Sequence, residues 1–394
     1  MIPYGKHNIN DDDIASVVDV LANKFLTQGD RVPAFEQALC DYTSATYCVA
    51  VNSGTSGLHV ACLALGIGKG DIVWTSPNSF AASANCALYC GADVDFVDID
   101  PITRNICPEI LAAKLQGANA QNRLPKAIVV VHFSGLSCDM QRISKLCQAH
   151  NVAIIEDAAH GLGGTYNGKP IGCCEYSDLA VLSFHPVKSI TTAEGGAVLT
   201  NDDALAKQCE LYAKHGITRR AEWQTRHDQG AWYYQQLALG YNYRLSDLQA
   251  ALGISQLKRV DSFIAERRAL AEQYDALLRE LPNSYDIRLP TRTGADTSAW
   301  HLYMIEVPAE ARQAIFDELR AHDVGVNVHY IPIHWHPYYQ SLGFSKAMFA
   351  NAEHFYEGAI TLPLYVGLSD DAQKTVVNTL TMALRKYLPA KQGK

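Results

Sequence analysis

The chain lacks both a block of basic residues and an apolar run long enough to span a bilayer. Its 33 basic and 41 acidic side chains give a formal net charge of −8. Nucleic acid and membranes are therefore not expected as partners. The opening residues have no apolar core, and three aspartates follow at positions 11–13. We therefore expect no targeting segment and a cytoplasmic protein.

Two nucleotide-binding signatures and a zinc signature are also missing. No GxGxxG turn and no GxxxxGK[ST] loop occurs, which argues against a Rossmann dinucleotide binder and a P-loop protein. The eleven cysteines are scattered, and the adjacent Cys173 and Cys174 lack the companions of a zinc site. We expect no metal, and reduced, mostly buried thiols.

What the chain does contain is an alternation of short apolar runs and helical patterns over residues 46–200. The predicted strands are 47–51, 72–75, 94–97, 127–132, 152–156, 179–184 and 196–199, and helical patterns such as 57–65, 81–89 and 140–150 lie between them. Nearly continuous apolar strands separated by helices predict a mostly parallel, seven-stranded α/β sheet that is covered on both faces.

The pattern changes after residue 245, and the length of 394 residues allows two domains. Two long amphipathic stretches, 246–260 and 262–281, precede a strand near 301–307 and helices near 309–322 and 369–388. We expect a large α/β domain over residues 1–254 and a smaller α+β domain over residues 255–394.

Three segments combine strand ends with reactive or polar residues. The turn at 53–57, Ser-Gly-Thr-Ser-Gly, leads into a helix and offers N–H groups and hydroxyls to a phosphate. The alternative is a simple helix cap. Asp157 follows a buried strand, where a lone carboxylate needs a cationic partner such as a protonated pyridine nitrogen. The alternative for Asp157 is again an N-cap.

The third segment, "SFHPVKSITTAEGG", places Lys188 just after an apolar strand. A lysine that is partly removed from water has a lowered pKa and can bond covalently to an aldehyde cofactor, although many lysines at strand ends only extend into solvent. A phosphate cup, an aspartate and a lysine in this order match the components of a pyridoxal-phosphate site.

At this point the sequence resembles a known family almost from end to end. The stretches "NSGTSGLHVA", "EDAAHGLGG", "SFHPVKSITTAEGG" and "GYNYRLSDLQAALGISQL" are similar to the nucleotide-sugar aminotransferases of the aspartate-aminotransferase fold, called fold type I. The resemblance implies an enzyme that uses pyridoxal 5′-phosphate and acts as a homodimer with shared active sites.

The resemblance also implies a role for each matching residue. Lys188 would bond to the cofactor aldehyde and move the proton, and Asp157 would pair with the ring nitrogen. The other implied cofactor contacts are Thr55, Ser56 and Ser183 at the phosphate, Phe80 and His160 on the two ring faces, and Asn242 reaching the partner's phosphate. Tyr4, His329 and Tyr330 are the candidate contacts to the sugar.

Within the family, "IPYGK", "FLTQGDRVPAFE" and "VHYIPIHWHPYY" look most like the pseudaminic acid branch. That similarity implies L-glutamate as donor and, as acceptor, C4 of a UDP-linked 4-keto-6-deoxy-N-acetylhexosamine, UDP-2-acetamido-2,6-dideoxy-β-L-arabino-hex-4-ulose. Ser189 and Ala193 stand where proline and glycine are usual in that branch, and several relatives carry glutamine at the position of His160.

Four other functions are weighed against this one. A same-family enzyme for a D-configured 4-keto sugar, or one making perosamine, would need acceptor assays to distinguish. A sugar dehydratase on this scaffold carries histidine in place of the lysine, so Lys188 argues against it. A non-catalytic regulatory protein that retains the fold is disfavoured by the complete set of Lys188, Asp157 and the phosphate cup.

Overall fold

The computed structural model describes residues 1–226, 229–292 and 298–388. Its strands are β1 (Tyr47–Val51), β2 (Ile72–Thr75), β3 (Asp93–Phe96), β4 (Ala127–Val131), β5 (Ala153–Asp157), β6 (Thr165–Tyr166), β7 (Lys169–Pro170), β8 (Leu179–Ser183), β9 (Gly196–Thr200), β10 (Ile217–Thr218), β11 (Gln235–Gln236), β12 (Tyr303–Glu306) and β13 (Ala359–Leu362). Its helices are α1 (Asp11–Asn23), α2 (Arg31–Thr43), α3 (Gly54–Ala64), α4 (Ala82–Tyr89), α5 (Pro108–Ala120), α6 (Met140–Gln148), α7 (Asp203–Ala213), α8 (Asp247–Leu257), α9 (Val260–Leu278), α10 (Leu281–Ser284), α11 (Ala309–Ala321), α12 (Pro337–Ser341), α13 (Ala350–Gly358) and α14 (Asp370–Tyr387).

Seven strands form one sheet in the order β1-β9-β8-β5-β4-β2-β3. All neighbouring pairs are parallel except those of β9, which runs antiparallel to both β1 and β8. The predicted mostly parallel sheet is therefore confirmed, and each predicted strand end lies within one residue of the observed one. The carboxyl ends of β1, β4, β5 and β8 meet at one edge, where α/β sheets bind ligands.

Helices cover both faces of this sheet, as the apolar strands predict. In β4, where every residue is buried, Ile128 and Val130 pack in a cluster with α5 and α6, whereas Val129 packs in a cluster with α3 and α4. Alternate residues of a strand point to opposite faces, so a strand buried on both sides must be apolar throughout. No helix among the described residues combines the length and the apolarity needed to cross a membrane.

A second core lies in the C-terminal part of the chain. The antiparallel pair β12–β13 packs with α9, α11 and α14 around Tyr274, Tyr303, Ile315 and Leu380. The division into a large domain over residues 1–254 and a smaller one over residues 255–394 stays a proposal. Position 254 lies inside α8, which packs on α1 and α2, and the second core begins at Leu270.

The N-terminal arm crosses to the second unit. The Ile2 N–H donates to Asp323 O at 2.7 Å, and the Gly325 N–H donates to Ile2 O at 2.7 Å. A Cβ at position 325 would lie 2.7 Å from Ile2 O, so this close approach requires glycine. The Leu364 N–H donates to Tyr4 O at 3.1 Å. These bonds fix Tyr4 beside the carboxyl edge of the sheet.

Candidate active site

A cavity of about 400 Å³ lies at the carboxyl edge of the sheet, and residues of both units line it. Nine of the predicted site residues line this cavity: Tyr4, Thr55, Phe80, Asp157, His160, Ser183, Lys188, His329 and Tyr330. Ser56 and Asn242 do not line it. The fold therefore collects most of the candidates from segments that are distant in sequence.

The first wall of the cavity is the start of α3. Ser53 caps this helix, because its Oγ accepts the N–H of Ser56 at 3.1 Å. The Ser56 hydroxyl donates to Asn52 Oδ1 at 2.6 Å and is 8% exposed, so this side chain serves the turn itself. Gly54 and Thr55 line the cavity at the helix end, where the first N–H groups have no intrahelical acceptor. This end of α3 suits a phosphate.

The packing of β9 explains the double glycine that follows the lysine loop. A Cβ at Gly196 would lie 2.6 Å from Ser53 O and 2.7 Å from Gly54 N. Only glycine lets the first residue of β9 approach the capped turn so closely. Gly196 pairs with both Val51 and Ser183, which fixes the ends of β1 and β8 side by side.

The second wall is the end of β5, where Asp157 is buried with 6% exposure. Its Oδ2 accepts the Ser83 hydroxyl at 2.6 Å, and its Oδ1 accepts the N–H of Ala159 at 3.2 Å. The Ser79 and Ser83 hydroxyls lie 2.6 Å apart, which completes a short chain of hydroxyls behind the carboxylate. Hydrogen bonds to a buried carboxylate hold it in one orientation and offset its loss of water.

Lys188 lies opposite this carboxylate, in the loop between β8 and β9. Burial lowers the pKa of the Lys188 amine to about 8, and the negative charge of Asp157 opposes the shift. About a tenth of the amine is therefore unprotonated at pH 7, far more than at its ordinary pKa, and the unprotonated amine is the state that attacks a carbonyl carbon. Lys188 thus has the chemical character that the sequence predicts.

The imidazoles of His160, His301 and His329 form a group beside Lys188. The His160 and His301 ring centroids are 4.2 Å apart, and each side chain has a buried Nδ1 with no partner. His160 Nε2 lies 3.3 Å from the Tyr330 hydroxyl. Burial lowers the pKa of His160 and His301 well below the usual value, and the positive charge of Lys188 lowers it further. These rings are therefore neutral and can both donate and accept hydrogen bonds.

His329 and Tyr4 form the side of the cavity that the second unit and the N-terminal arm provide. Their ring centroids are 5.6 Å apart, and His329 Nδ1 lies 2.8 Å from Thr361 Oγ1 on β13. Burial lowers the pKa of His329 to about 4, with Lys188 contributing. Burial also raises the pKa of the Tyr330 hydroxyl, so both residues are uncharged near neutral pH.

Phe80 and Asn242 occupy more open positions. The Phe80 side chain is 61% exposed and lies at the cavity wall, with its ring centroid 6.1 Å from that of Tyr330. Asn242 is exposed and forms a β-bridge with Lys214, outside the cavity of its own chain. Asn242 therefore does not line the active-site cavity of its own chain.

The sequence did not single out Ser79, Ser83, His301, Asn327 or Glu194, all of which line the cavity or support Asp157. The four-residue spacing of Ser79 and Ser83 places both hydroxyls on one side of a helical turn, which is a weak signal. His301 opens the predicted strand at 301–307 but nothing nearby in sequence relates it to His160. Asn327 and Glu194 carry no comparable pattern.

Comparison with known proteins places this site in a family. The model of the DegT/DnrJ/EryC1/StrS aminotransferase family matches residues 7–381. The UDP-4-amino-4,6-dideoxy-N-acetyl-β-L-altrosamine transaminase of Campylobacter jejuni is 37% identical over 389 residues, which are 98% of each chain.

Two solved structures are similar over nearly the whole chain. The Helicobacter pylori aminotransferase PseC, involved in pseudaminic acid biosynthesis, has a TM-score of 0.89 and 31% identity, covering 98% of this chain and 100% of its own. The Streptococcus pneumoniae protein Spr1654, assigned as a sugar aminotransferase, has a TM-score of 0.87 in its PLP form. Its identity is 29%, over 98% of this chain and 99% of its own.

The residues of the cavity fit pyridoxal phosphate. The start of α3 offers donors for a phosphate, Asp157 offers a buried carboxylate for a cationic ring nitrogen, and Lys188 offers an amine with a lowered pKa. The buried Nδ1 of His160 still needs a polar partner. From the family match, the relatives and this fit, we conclude that the chain belongs to the DegT/DnrJ/EryC1/StrS aminotransferase family and is a pyridoxal-phosphate-dependent sugar aminotransferase.

Proposed function

We propose that the enzyme transfers the amino group of L-glutamate to C4 of UDP-2-acetamido-2,6-dideoxy-β-L-arabino-hex-4-ulose, in the pathway to pseudaminic acid. The proposal is supported by the activity for which the Campylobacter relative is named and by the pathway in which the Helicobacter protein is involved. The observation that carries the reaction class is the meeting of Lys188, Asp157 and the start of α3 in one cavity.

In this proposal the start of α3 and the end of β8 would hold the cofactor phosphate. Thr55 and Ser183 line the cavity there and would supply hydroxyl donors, together with the first N–H groups of α3. Ser56 contributes indirectly, because its hydroxyl and N–H bond to Asn52 and Ser53 and so fix the turn. Phe80 and His160 lie on the cavity walls and limit the orientation of a planar ring.

Asp157 sets the electronic state of the site. Its carboxylate would accept a hydrogen bond from the protonated ring nitrogen and keep the proton there, while the Ser83 hydroxyl holds the carboxylate in place. The bound cofactor supplies an electron-poor ring that withdraws electrons from the carbon bearing the transferred amino group. Because Asp157 is 6% exposed, water competes little for this contact.

Lys188 carries out the proton movement. With an amine pKa of about 8, its Nζ can accept a proton from a carbon acid and return it within the same cavity. Burial limits the access of water to the Lys188 side chain, which favours return of the proton within the site. The charge of Asp157 prevents the amine pKa from falling further, so Nζ keeps enough basicity for this role.

The sugar end of the site consists of uncharged polar groups. Tyr4, His329 and Tyr330 line the cavity opposite the sheet, and burial keeps His329 and His301 neutral. Neutral imidazoles and phenols suit sugar hydroxyl, keto and acetamido groups, which also donate or accept without carrying charge. We therefore assign these residues to the sugar and expect the charged diphosphate to lie outside this group.

We propose further that the active unit is a homodimer and that Asn242 completes the phosphate site of the partner. This residue is exposed and lies outside its own cavity. Its segment carries exposed apolar side chains, with Trp232 at 75% and Leu239 at 82% exposure, which are suited to a contact between copies. We also propose a cytoplasmic location, which fits eleven free cysteines.

Product analysis tests the substrate proposal. The holoenzyme is incubated with L-glutamate and 4-keto-6-deoxy UDP-N-acetyl sugars of both C5 configurations, and the amino sugar is identified by NMR. We expect amination at C4 of the L-arabino acceptor and little of the D-configured one. The Lys188→Ala variant is the matched control. Faster amination of the D-configured acceptor would replace the proposed substrate by its alternative.

A further inference from the structure

Three cysteines and a histidine lie together at the ends of α3 and α4 that are remote from the active-site turn. His59 and Cys62 are three residues apart on α3, and Cys86 on α4 is four residues before Cys90, the C-cap of that helix, so each pair faces one side of its helix. The two helices pack against each other, and the three cysteines belong to one apolar cluster. All are free thiols, and none has a role in the proposed reaction.

The members of this cluster, which we call the thiol cluster, are close neighbours. The thiol of Cys62 neighbours those of Cys86 and Cys90, and Cys90 also neighbours His59. His59 Nδ1 lies 3.1 Å from the Tyr243 hydroxyl, while its buried Nε2 has no partner of ordinary hydrogen-bond geometry. An anionic sulfur beside this imidazole would supply that partner.

We propose that Cys90 is a peroxide-reactive thiol and that Cys62 is the thiol that resolves it to a disulfide. Cys90 is half-buried, whereas Cys62 and Cys86 are fully buried at 0% exposure, so peroxide reaches Cys90 first. Cys62 and Cys90 are neighbours where α3 packs against α4. We therefore assign Cys62 as the resolving thiol.

The surroundings of Cys90 favour its thiolate. The neighbouring thiol of Cys62, opposed by burial and assisted by His59, lowers the pKa of Cys90 to about 6. In contrast, burial raises the pKa of Cys209 to about 12. The thiolate is the reactive form, and at pH 7 about nine-tenths of a thiol with a pKa near 6 is ionised. Tyr243, which also neighbours Cys90, is neutral at that pH because burial raises its pKa.

The chemistry balances with hydrogen peroxide as the only oxidant. The Cys90 thiolate attacks one peroxide oxygen, the O–O bond breaks, and the departing hydroxide takes a proton to give water and a sulfenic acid. The Cys62 sulfur then attacks the Cys90 sulfur, loses its proton and displaces a second water. Two thiols are oxidised by two electrons in total, and one peroxide is reduced to two waters.

A second thiol pair in the chain provides an internal comparison. Cys40 neighbours Cys48, and this neighbour lowers the pKa of the Cys40 thiol. However, Cys40 is buried and the carboxylates of Glu36 and Asp41 oppose its ionisation, while no imidazole acts on it among the described residues. We expect this pair to react more slowly than the thiol cluster.

The experiment is peptide mapping of the peroxide-treated holoenzyme. The protein is exposed to one equivalent of hydrogen peroxide at pH 7 with dimedone present, alkylated with iodoacetamide and digested without reductant. We expect a Cys62–Cys90 disulfide as the first product, formed at least tenfold faster than oxidation of Cys40 or Cys209. In Cys62→Ala we expect the dimedone adduct to accumulate on Cys90, and in Cys90→Ala neither product.

The matched control is Cys86→Ala, which keeps both reacting thiols and should form the disulfide at a rate within about threefold of wild type. The wild-type map needs no variant, so it decides the proposal even if a substitution impairs folding. First oxidation at any other cysteine, or a disulfide from Cys90 to Cys86, overturns the assignment. Peroxide consumption without modification of Cys90 overturns it as well.

Discussion

Replacing Lys188 by methionine should stabilise the protein that has lost its cofactor, although it removes the reactive amine. The lysine pKa falls from its ordinary 10.5 to about 8 because of burial, with Asp157 opposing. A pKa change of this size corresponds to a free-energy cost of about 3 kcal/mol for the charged amine in the folded protein. Lys188 is partly exposed, and water screening reduces the effect to about 1–3 kcal/mol. Methionine keeps the length of the side chain without the charge.

The direction of the predicted stability change at each pH follows from the protonation of Lys188 in the folded and the unfolded chain. Below about pH 8 the amine of Lys188 is charged in both the folded and the unfolded chain, so wild type bears the full cost. Between about pH 8 and 10.5 the unfolded chain binds more protons, and wild-type stability rises relative to the variant. Above pH 10.5 the amine is neutral in both states, and the advantage of Lys188→Met disappears.

The assay is thermal and urea unfolding of the apoproteins at fixed protein concentration, at pH 7, 9 and 10.5. The variant should melt a few degrees higher than wild type at pH 7, with the difference shrinking towards pH 10.5. Lys69→Met, at an exposed loop position, is the control and should change stability little at any pH. A Lys188→Met protein less stable than wild type at pH 7, or a gain independent of pH, would refute the reasoning.

Four further predictions concern the site. Borohydride reduction of the holoenzyme should fix a pyridoxyl group on Lys188, and a peptide map showing another lysine would contradict the assignment. Asp157→Asn should lower turnover by several orders of magnitude with little change in melting temperature, and near-normal turnover would show that another residue faces the ring nitrogen. Ser83→Ala, which removes a 2.6 Å hydrogen bond to the Asp157 carboxylate, should lower turnover about tenfold to a hundredfold. Co-expressed Lys188→Ala and Asn242→Ala chains should regain up to about half of wild-type activity per mixed dimer, because both substitutions then affect one of the two sites and leave the other intact. Inactive mixed dimers would exclude shared sites. His301→Phe should raise KM for the sugar more than it lowers kcat in steady-state assays, and an unchanged KM would remove this residue from the sugar site.

The sequence alone was sufficient for the sheet and for the order of its reactive residues. Strands that are buried on both faces must be continuously apolar, so all seven strands could be located to within one residue. The capped turn before α3, Asp157 and Lys188 each follow such a strand, and the carboxyl ends of parallel strands meet at one edge. Local pattern therefore predicted both the fold class and the place where the cavity forms.

Other features depend on contacts between distant segments, which no local pattern encodes. The antiparallel direction of β9 follows from its pairing with β1 and β8. Tyr4 reaches the cavity because the N-terminal arm is hydrogen-bonded to residues near 324 and 364. The Ser83 contact to Asp157 spans 74 residues. The pKa of Lys188 also depends on tertiary structure, because burial and the distance to Asp157 exist only in the folded chain. Residue types and their order were thus determined by the sequence, whereas their separation from water and from one another was decided by packing.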